Sequence, residues 1–438
     1  PESGSKEKSA QDTSAFHDSV SLPNQLASLP NQLRSIPGLA RARDLIGIAE
    51  KRDRQKRQFL ESIGVEEAEN GQGKYGVRNV LFPVDELPYP PGDIRGDELV
   101  FQMRDESLAI ADPETMLFLD TETTGLGGGT GTVPFLIGVG FFEGNVFRVQ
   151  QYLMRDYDEE PAVLMEIDRL VRLFPVIATY NGKGFDIPIL RSRFLLNRIH
   201  SPIEERLQAD FLYPARRFWR EMLPNCTLLC VEQFLTGKTR IDDIPGELIP
   251  MVYFDFLRGL RIQRMQTVLN HNVEDIRTLP LIASRTCRMI RQPWPEWLHG
   301  LEMAALGRMY AAVEDWENAC CCLEQALQWN GIPPSSCLPI CKNLSILYKR
   351  LKRYANACSL WKQMIQEYED PFAYIELAKF YEHRERNYAQ ALFFTSQAVS
   401  LVQQNRSFLE LNKKCESNLE KQLNFRFERL RRKTNTDS

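Results

Sequence analysis

Met116-Leu-Phe-Leu-Asp120-Thr-Glu122-Thr-Thr-Gly125 is the stretch on which the fold turns. Four apolar residues in a row read as a buried strand, and strand side chains alternate between faces, so Asp120 and Glu122 project from the same side. Like charges so placed repel unless a cation lies between them. A lone Asp-x-Glu also marks many solvated strand ends, so its meaning depends on what else the chain brings to it.

Two more segments bring acids. Asn181-Gly-Lys-Gly-Phe-Asp186 follows the β-rich run Val176-Ile-Ala-Thr-Tyr180; Gly182 and Gly184 mark a turn, and Asp186 starts a helix. Helix capping alone would account for an acid there. His271-Asn-Val-Glu-Asp275 lies in a helical pattern from about Arg261 past Ile290, and a spacing of four puts His271 and Asp275 on one face. The plain alternative is an exposed pair or a core histidine. Taken together, the three segments point to a two-cation phosphodiesterase. Paired divalent ions neutralise charge on the attacking and leaving oxygens, and hard cations such as Mg²⁺ prefer carboxylate oxygens. A neighbouring His is suited to take a proton from water near neutral pH.

These motifs resemble those of the YprB-like branch of the ribonuclease H-like 3′→5′ exonucleases, the DEDD group, over roughly Leu117 to Ser284. The resemblance implies a catalytic set of Asp120, Glu122, Asp186, His271 and Asp275. The four acids would hold two divalent cations, Mg²⁺ or Mn²⁺, and His271 would orient the attacking water. Thr123, Thr124, Gly125 and Asn181 would then contact the terminal nucleotide. His271 stands four residues before Asp275, the spacing of the family's Tyr version, where the His version has five; Asn270, at the other position, cannot act as a base. Asp243-Ile-Pro-Gly246 resembles the loop that precedes the third motif. The family's association with genome maintenance implies DNA in preference to RNA, a part in DNA repair, and a helicase or other repair protein as partner.

The strand and helix signals give the fold class, an α/β ribonuclease H-like mixed sheet flanked by helices. Strands at Met116 to Glu122, Val133 to Phe142 and Val146 to Leu153 form an antiparallel meander. A helix over Glu159 to Phe174, a strand at Val176 to Tyr180, a helix from Asp186 and a strand at Gln208 to Leu212 follow. Gly127-Gly-Gly-Thr-Gly131 lacks the Gly-Lys-Ser/Thr ending of a phosphate loop and reads as a connection between strands. Arg191, Arg193, Arg198, Arg206, Arg216, Arg217 and Arg220, with Phe218 and Trp219 among them, read either as a strand-tracking groove or as a solvated face over a buried Trp.

Before this domain lies a Ser- and Pro-rich tail, residues 1–40, with the repeat Ser21-Leu-Pro-Asn-Gln-Leu-Ala27 and Ser28-Leu-Pro-Asn-Gln-Leu-Arg34. A helical and extended arm, 41–110, comes next, with Asn79 to Pro91 laid against the body. The exonuclease domain is expected over 111–292, ending at Pro293-Trp-Pro-Glu-Trp297. Over 298–433, Leu306-Gly307-x-x-Tyr310, Leu344-Ser345-x-x-Tyr348 and Leu377-Ala378-x-x-Tyr381 recur. With Ala319, Ala357 and Ala391 following, they resemble tetratricopeptide repeats, which stack as an all-α solenoid.

A formal net charge of −4 over 438 residues argues against a DNA-coating protein, so nucleic-acid contact would need a local basic face. No apolar run is long enough for a bilayer, and a cytoplasmic location without membrane contact is expected. The ten cysteines lack the paired spacing of a zinc site and read as small buried hydrophobes. The rivals to an exonuclease are a non-catalytic nucleic-acid-binding adaptor working through the helical repeats, an RNA-directed nuclease, and an endonuclease using the same metals.

Overall fold

The computed structural model describes residues 37–88, 90–125, 127, 129, 131–292, 298–368, 370–406 and 413–436. The Ser21 to Arg34 repeat, most of the expected tail and Pro293 to Trp297 lie outside them. The sheet consists of β1 (Val65–Asn70), β2 (Gly73–Pro83), β3 (Met116–Thr123), β4 (Pro134–Glu143), β5 (Val146–Leu153), β6 (Val176–Thr179) and β7 (Leu207–Asp210). Its order is β1-β2-β5-β4-β3-β6-β7, antiparallel from β1 to β3 and parallel from β3 to β7. The helices of this part are α1 (Pro37–Ser62), α2 (Gly96–Met103), α3 (Glu160–Leu173), α4 (Asp186–Leu196), α5 (Leu212–Trp219), α6 (Leu228–Thr236), α7 (Ile249–Leu257) and α8 (Arg264–Arg291). The mixed sheet with flanking helices and the antiparallel meander are as expected from the sequence. Helix α3 carries the chain from β5 to β6, a crossover that lets β6 pair parallel to β3.

The alternation in β3 sorts its side chains into two cores. Met116 and Phe118 join Ile276, Leu279 and Ile282 of α8; Leu117 and Leu119 join Val163, Leu164 and Ile167 of α3. With both faces covered, β3 reads as a continuous apolar run. Asp120 and Glu122 extend the series of Phe118 beyond the apolar part, as their spacing requires.

Helix α8 lies close on the sheet because two residues beneath it have no side chain. A Cβ at Gly140 would lie 2.5 Å from Phe147 and 2.6 Å from Ile276. A Cβ at Gly138 would lie 2.1 Å from the Asn272 amide oxygen.

The extended arm expected over Asn79 to Pro91 takes another form. Asn79 to Pro83 end β2, which pairs with β5 from Gly76↔Leu153 to Pro83↔Val146, and β1 completes a hairpin at the sheet edge. Val65-Glu-Glu-Ala-Glu-Asn70 hides this strand from pattern reading, because an edge strand keeps few buried positions and carries charge that blocks further pairing. Pro83 sits at the strand's last position, where a missing N–H is tolerated.

Seven more helices follow: α9 (Gly300–Ala312), α10 (Trp316–Gln328), α11 (Pro334–Arg350), α12 (Tyr354–Tyr368), α13 (Pro371–His383), α14 (Tyr388–Arg406) and α15 (Lys413–Thr436). The three Leu-x-x-x-Tyr motifs fall on α9, α11 and α13, and Ala319, Ala357 and Ala391 fall on α10, α12 and α14, all three fully buried. Gly307 allows α9 and α10 to approach, since a Cβ there would meet Leu323 at 2.8 Å. Glu382 of α13 ties down α15 by accepting from Arg426 at 2.8 Å and Arg429 at 2.7 Å, with Lys433 at 3.5 Å. The basic end of α15 is thus partly spent on the fold.

One apolar core runs from the sheet into these helices, joining Ala215 and Trp219 of α5 to Leu301, Ala305 and Leu306 of α9. Within it, Glu302 accepts from the Trp219 indole at 2.7 Å and from Arg285 of α8 at 3.0 Å, and is itself 1% exposed. Removing one member of a buried charge pair strands the other, at a cost of about 3–5 kcal/mol. Glu302→Ala is therefore expected to lower stability by about that amount in a denaturant titration; a change under about 1 kcal/mol would mean that the pair is solvated.

Candidate metal centre

The acids converge at one end of the parallel strands. Asp120 and Glu122 come from the end of β3, where the register with β4 shifts between Glu122 and Thr123. Asp186 is the first residue of α4, and His271 and Asp275 come from α8. Single ligand atoms of Glu122, His271 and Asp275 all lie within 4.8 Å of one another. Asp120 sits in the electrostatic field of Glu122, Asp186 and Asp275. The five residues expected as catalytic therefore share one charge cluster.

Each acid is positioned by neighbours that can be traced through the sheet. Asp120 lies opposite Gly138 on β4, and Gly138 lies opposite Gln151 on β5. Over bare Gly138, Asn272 donates to Asp120 Oδ2 at 2.8 Å and accepts from Gln151 Nε2 at 2.8 Å. Gln151 also donates to the Leu269 carbonyl at 2.8 Å. Asn272 is thus oriented by a buried amide, and it orients Asp120.

Asp186 accepts from Thr121 Oγ1 at 2.5 Å. The turn before it hangs on Asp210, whose carboxylate accepts the Asn181 N–H at 2.7 Å, the Lys183 N–H at 3.1 Å and the Leu212 N–H at 3.1 Å. Asp210 is thus a strut for the turn. Asn181 adopts φ 65°, and Gly182 is obligatory because a Cβ would lie 2.4 Å from Thr179. The exposed Asn181 side chain stands at the rim. Thr123 Oγ1 donates to the Gly125 carbonyl at 2.7 Å, and Thr124 Oγ1 accepts from the Val133 N–H at 3.0 Å. Both hydroxyls shape the loop after β3.

Around the third motif the structure adds residues that have no role in the motif itself. His271 Nδ1 lies 2.7 Å from Asp243 Oδ1, and its Nε2 lies 3.3 Å from Asp275 Oδ2. Arg240 donates to Asp275 Oδ1 at 2.5 Å and also pairs with Glu232 of α6. The segment ahead of the third motif is legible by its Asp243-Ile-Pro-Gly246 pattern, but Arg240 and Glu232 carry no local signal. Their meeting depends on how α6 and that segment pack on α8.

Burial and mutual repulsion set the charge states. Burial drives the Asp120 carboxyl well above its ordinary range, aided by Asp275, Glu122 and Asp186. Burial likewise pushes Glu122 to about 8, and Asp186 to about 6 against the pull of the Thr121 hydroxyl. Asp275 goes the other way: burial is outweighed by His271 and Arg240, which hold it below its usual value. For His271, burial is outweighed by Asp275, Glu122 and Asp243, which raise the imidazole to about 10. In this arrangement His271 and Arg240 serve as the cations of an over-charged acid cluster. The residues fit divalent cations by donor chemistry, since four carboxylates, three raised by burial and one kept ionised, offer hard oxygen ligands. Asp120, Glu122, Asp186 and Asp275 would hold them.

Of the expected arginine row, Arg191 pairs with Glu204 at 2.9 Å and Arg193 with Glu160 at 2.5 Å, while Phe218 and Trp219 are buried. No helix among the described residues is long and apolar enough to cross a membrane. Cys287, Cys320, Cys322 and Cys341 are buried, in keeping with a packing role.

With this geometry in place, comparison with known proteins gives the class. A family model described as RNase_H superfamily matches residues 117–287. The chain belongs to this superfamily, and its mixed sheet is ribonuclease H-like. It is 31% identical over 293 residues to an uncharacterized protein, YprB, of Bacillus subtilis (strain 168), an overlap covering 65% of this chain and 69% of that protein. Among solved structures, it is similar to the family B DNA polymerase of the hyperthermophilic archaeon Pyrobaculum calidifontis at 17% identity and a TM-score of 0.32. That match covers 45% of this chain and 29% of the polymerase chain.

The charge states make a pH dependence of the chelator-treated protein. The folded state holds a proton on Glu122 from its ordinary 4.5 up to about 8, and on His271 from its ordinary 6.5 up to about 10. Both contributions are full below the ordinary value and are lost as pH rises. The melting temperature in EDTA is expected to fall between pH 6.5 and 8, where both groups act together, and Mn²⁺ is expected to restore it most at pH 8. A melting temperature that is flat across that window in EDTA and insensitive to Mn²⁺ would disprove the cluster's electrostatics.

Proposed function

We propose that the chain is a metal-dependent 3′→5′ exonuclease of the DEDD type, hydrolysing nucleic-acid phosphodiesters, with DNA preferred and DNA repair as its setting. The observation that carries this reading is the convergence of Asp120, Glu122, Asp186, His271 and Asp275, from three separate motifs, on one buried cluster. A binding-only module gains nothing from concentrating so much negative charge. Two divalent cations, Mg²⁺ or Mn²⁺, bound by the four acids would neutralise charge on the attacking and leaving oxygens.

The protein's own groups do the rest. Asn272 fixes the Asp120 carboxylate, Thr121 fixes that of Asp186, and Asp243 holds His271 Nδ1 so that Nε2 faces the acids. Of the carboxylates that keep the imidazole protonated, Asp243 is not assigned to cations, whereas Asp275 and Glu122 are. As their charge is neutralised, Nε2 returns toward its ordinary range and can take a proton from water. Asn181 and the Thr123 to Gly125 loop border the cluster, where the terminal nucleotide would sit. Residues 298–433 would form a tetratricopeptide-like solenoid for a protein partner such as a helicase, and the domain division would follow the limits expected from the sequence.

One observation favours the adaptor reading: Arg240 and His271 already pair with Asp275 and offset its charge without any metal. Incubation with Mg²⁺ or Mn²⁺ and end-labelled DNA and RNA, single and duplex, separates the readings. Stepwise shortening from the 3′ end is expected, against internal cuts for an endonuclease, RNA-only products for an RNA-directed enzyme and bare binding for an adaptor. Asp120→Asn is expected to abolish turnover while keeping the melting temperature, and Asp275→Asn to abolish it while lowering the melting temperature, because Arg240 and His271 lose a buried partner. His271→Ala is expected to slow it by about 10²-fold or more while weakening metal binding less; unchanged turnover in all three variants would refute the assignment.

A further inference from the structure

A second charged site lies where the sheet meets the helical array. Arg216 and Arg217 of α5, Arg220 just past its end, Arg104 at the C-terminal end of α2 and Arg308 of α9 line one cleft of ≈ 330 Å³, with Tyr213 at its side. The elements that supply them are far apart in sequence, so the clustering is made by the fold. Five guanidinium groups face a single carboxylate there, that of Glu221, which Arg308 holds at 3.0 Å. Among the described residues, Arg104, Arg216 and Arg220 have no carboxylate partner. Arg217 is half-buried, donates to the Gln102 carbonyl, and lies close enough to Arg104 for the two charges to oppose each other. Such crowding costs free energy that an anion would recover.

The number and spread of the arginines choose the anion. A phosphodiester has two free oxygens and is saturated by about two bidentate forks. Five guanidiniums on three elements exceed that and suit successive phosphates of one strand. Tyr213, 47% exposed, offers the ring face on which an unpaired base stacks. The cleft also adjoins the candidate catalytic turn. Arg216 acts on the Tyr180 phenol, which directly precedes Asn181, and Lys183 of that turn acts on Asp105, next to Arg104.

We propose that this arginine cleft between α2, α5 and α9 binds the phosphodiester backbone of a single nucleic-acid strand and carries it past the acid cluster. The assignment deepens the exonuclease reading and rests on it for its purpose, but the binding itself needs no hydrolysis. The test is fluorescence anisotropy of the full chain with labelled oligodeoxythymidine and oligouridine in EDTA, over a range of salt. Arg216→Ala with Arg220→Ala is expected to weaken both by about 10-fold or more and to reduce the slope of log K against log salt by about 2, with the melting temperature kept. Should that pair lose the fold, Arg216→Gln alone is read the same way, with a slope change of about 1. Tyr213→Ala is expected to weaken binding without changing the slope, which a purely ionic site would not show.

Unchanged affinity and slope in the arginine variants overturn the proposal. So does a wild type that binds pyrophosphate as tightly as the oligonucleotides, since the site would then take small anions. A wild type that binds with these properties but cuts nothing in Mg²⁺ or Mn²⁺ supports the cleft and defeats the exonuclease reading, so the two failures are distinct.

Discussion

Repulsion among carboxylates that burial has crowded together is the constraint on which the molecule depends. Asp120, Glu122 and Asp186 are each driven to hold protons above their ordinary range, while Asp275 is kept ionised by Arg240 and His271. A fold tolerates this only if the surrounding structure leaves the acids no room to separate. Here the means are a buried amide pair, a threonine hydroxyl, a carboxylate strut under a turn and two glycines that bring a long helix down on the sheet. Apart from the Asp210 strut, whose charge also acts on Asp186, these groups bring no charge to the cluster, yet each fixes a group that does.

The helix α8 joins the acid cluster to the helical array. Its first half carries His271, Asn272 and Asp275 over β3 to β5, and its later part sends Arg285 to the Glu302 carboxylate of the helical array. The same array supplies Arg308 to the arginine cleft. Acid cluster and basic cleft are thus opposite charges on different elements, and the Arg285–Glu302 pair ties α8 of the first to α9 of the second.

How much was legible beforehand follows from which signals are local. The β3 acids could be read because a strand's period of two is written in four apolar residues followed by Asp120 and Glu122. His271 and Asp275 could be paired because a helix spaces them by one turn. The helix-pair motifs from Leu306 to Tyr381 were visible as repetition. Arg240, Glu232 and Arg104 were not visible, since each acts through a partner that only tertiary packing brings near. The β1–β2 hairpin escaped because its edge strand is mostly acidic and solvated, and the arginine row from 191 to 220 was ambiguous because only packing shows that Arg191 and Arg193 pair with Glu204 and Glu160 while Arg216, Arg217 and Arg220 line a cleft. Gly138 gave no hint either; only the position of Asn272 reveals why a side chain is forbidden there.

The uninterrupted core between α5, α8 and α9 bears on any attempt to divide this polypeptide for expression. A fragment stopped after α8 would bare the Trp219 ring and leave Arg285 facing water without Glu302, while one started at α9 would carry Glu302 and a strip of leucine and alanine into solvent. Each piece would arrive with a sticky wound, so shortened versions are better cut elsewhere than along the apparent seam.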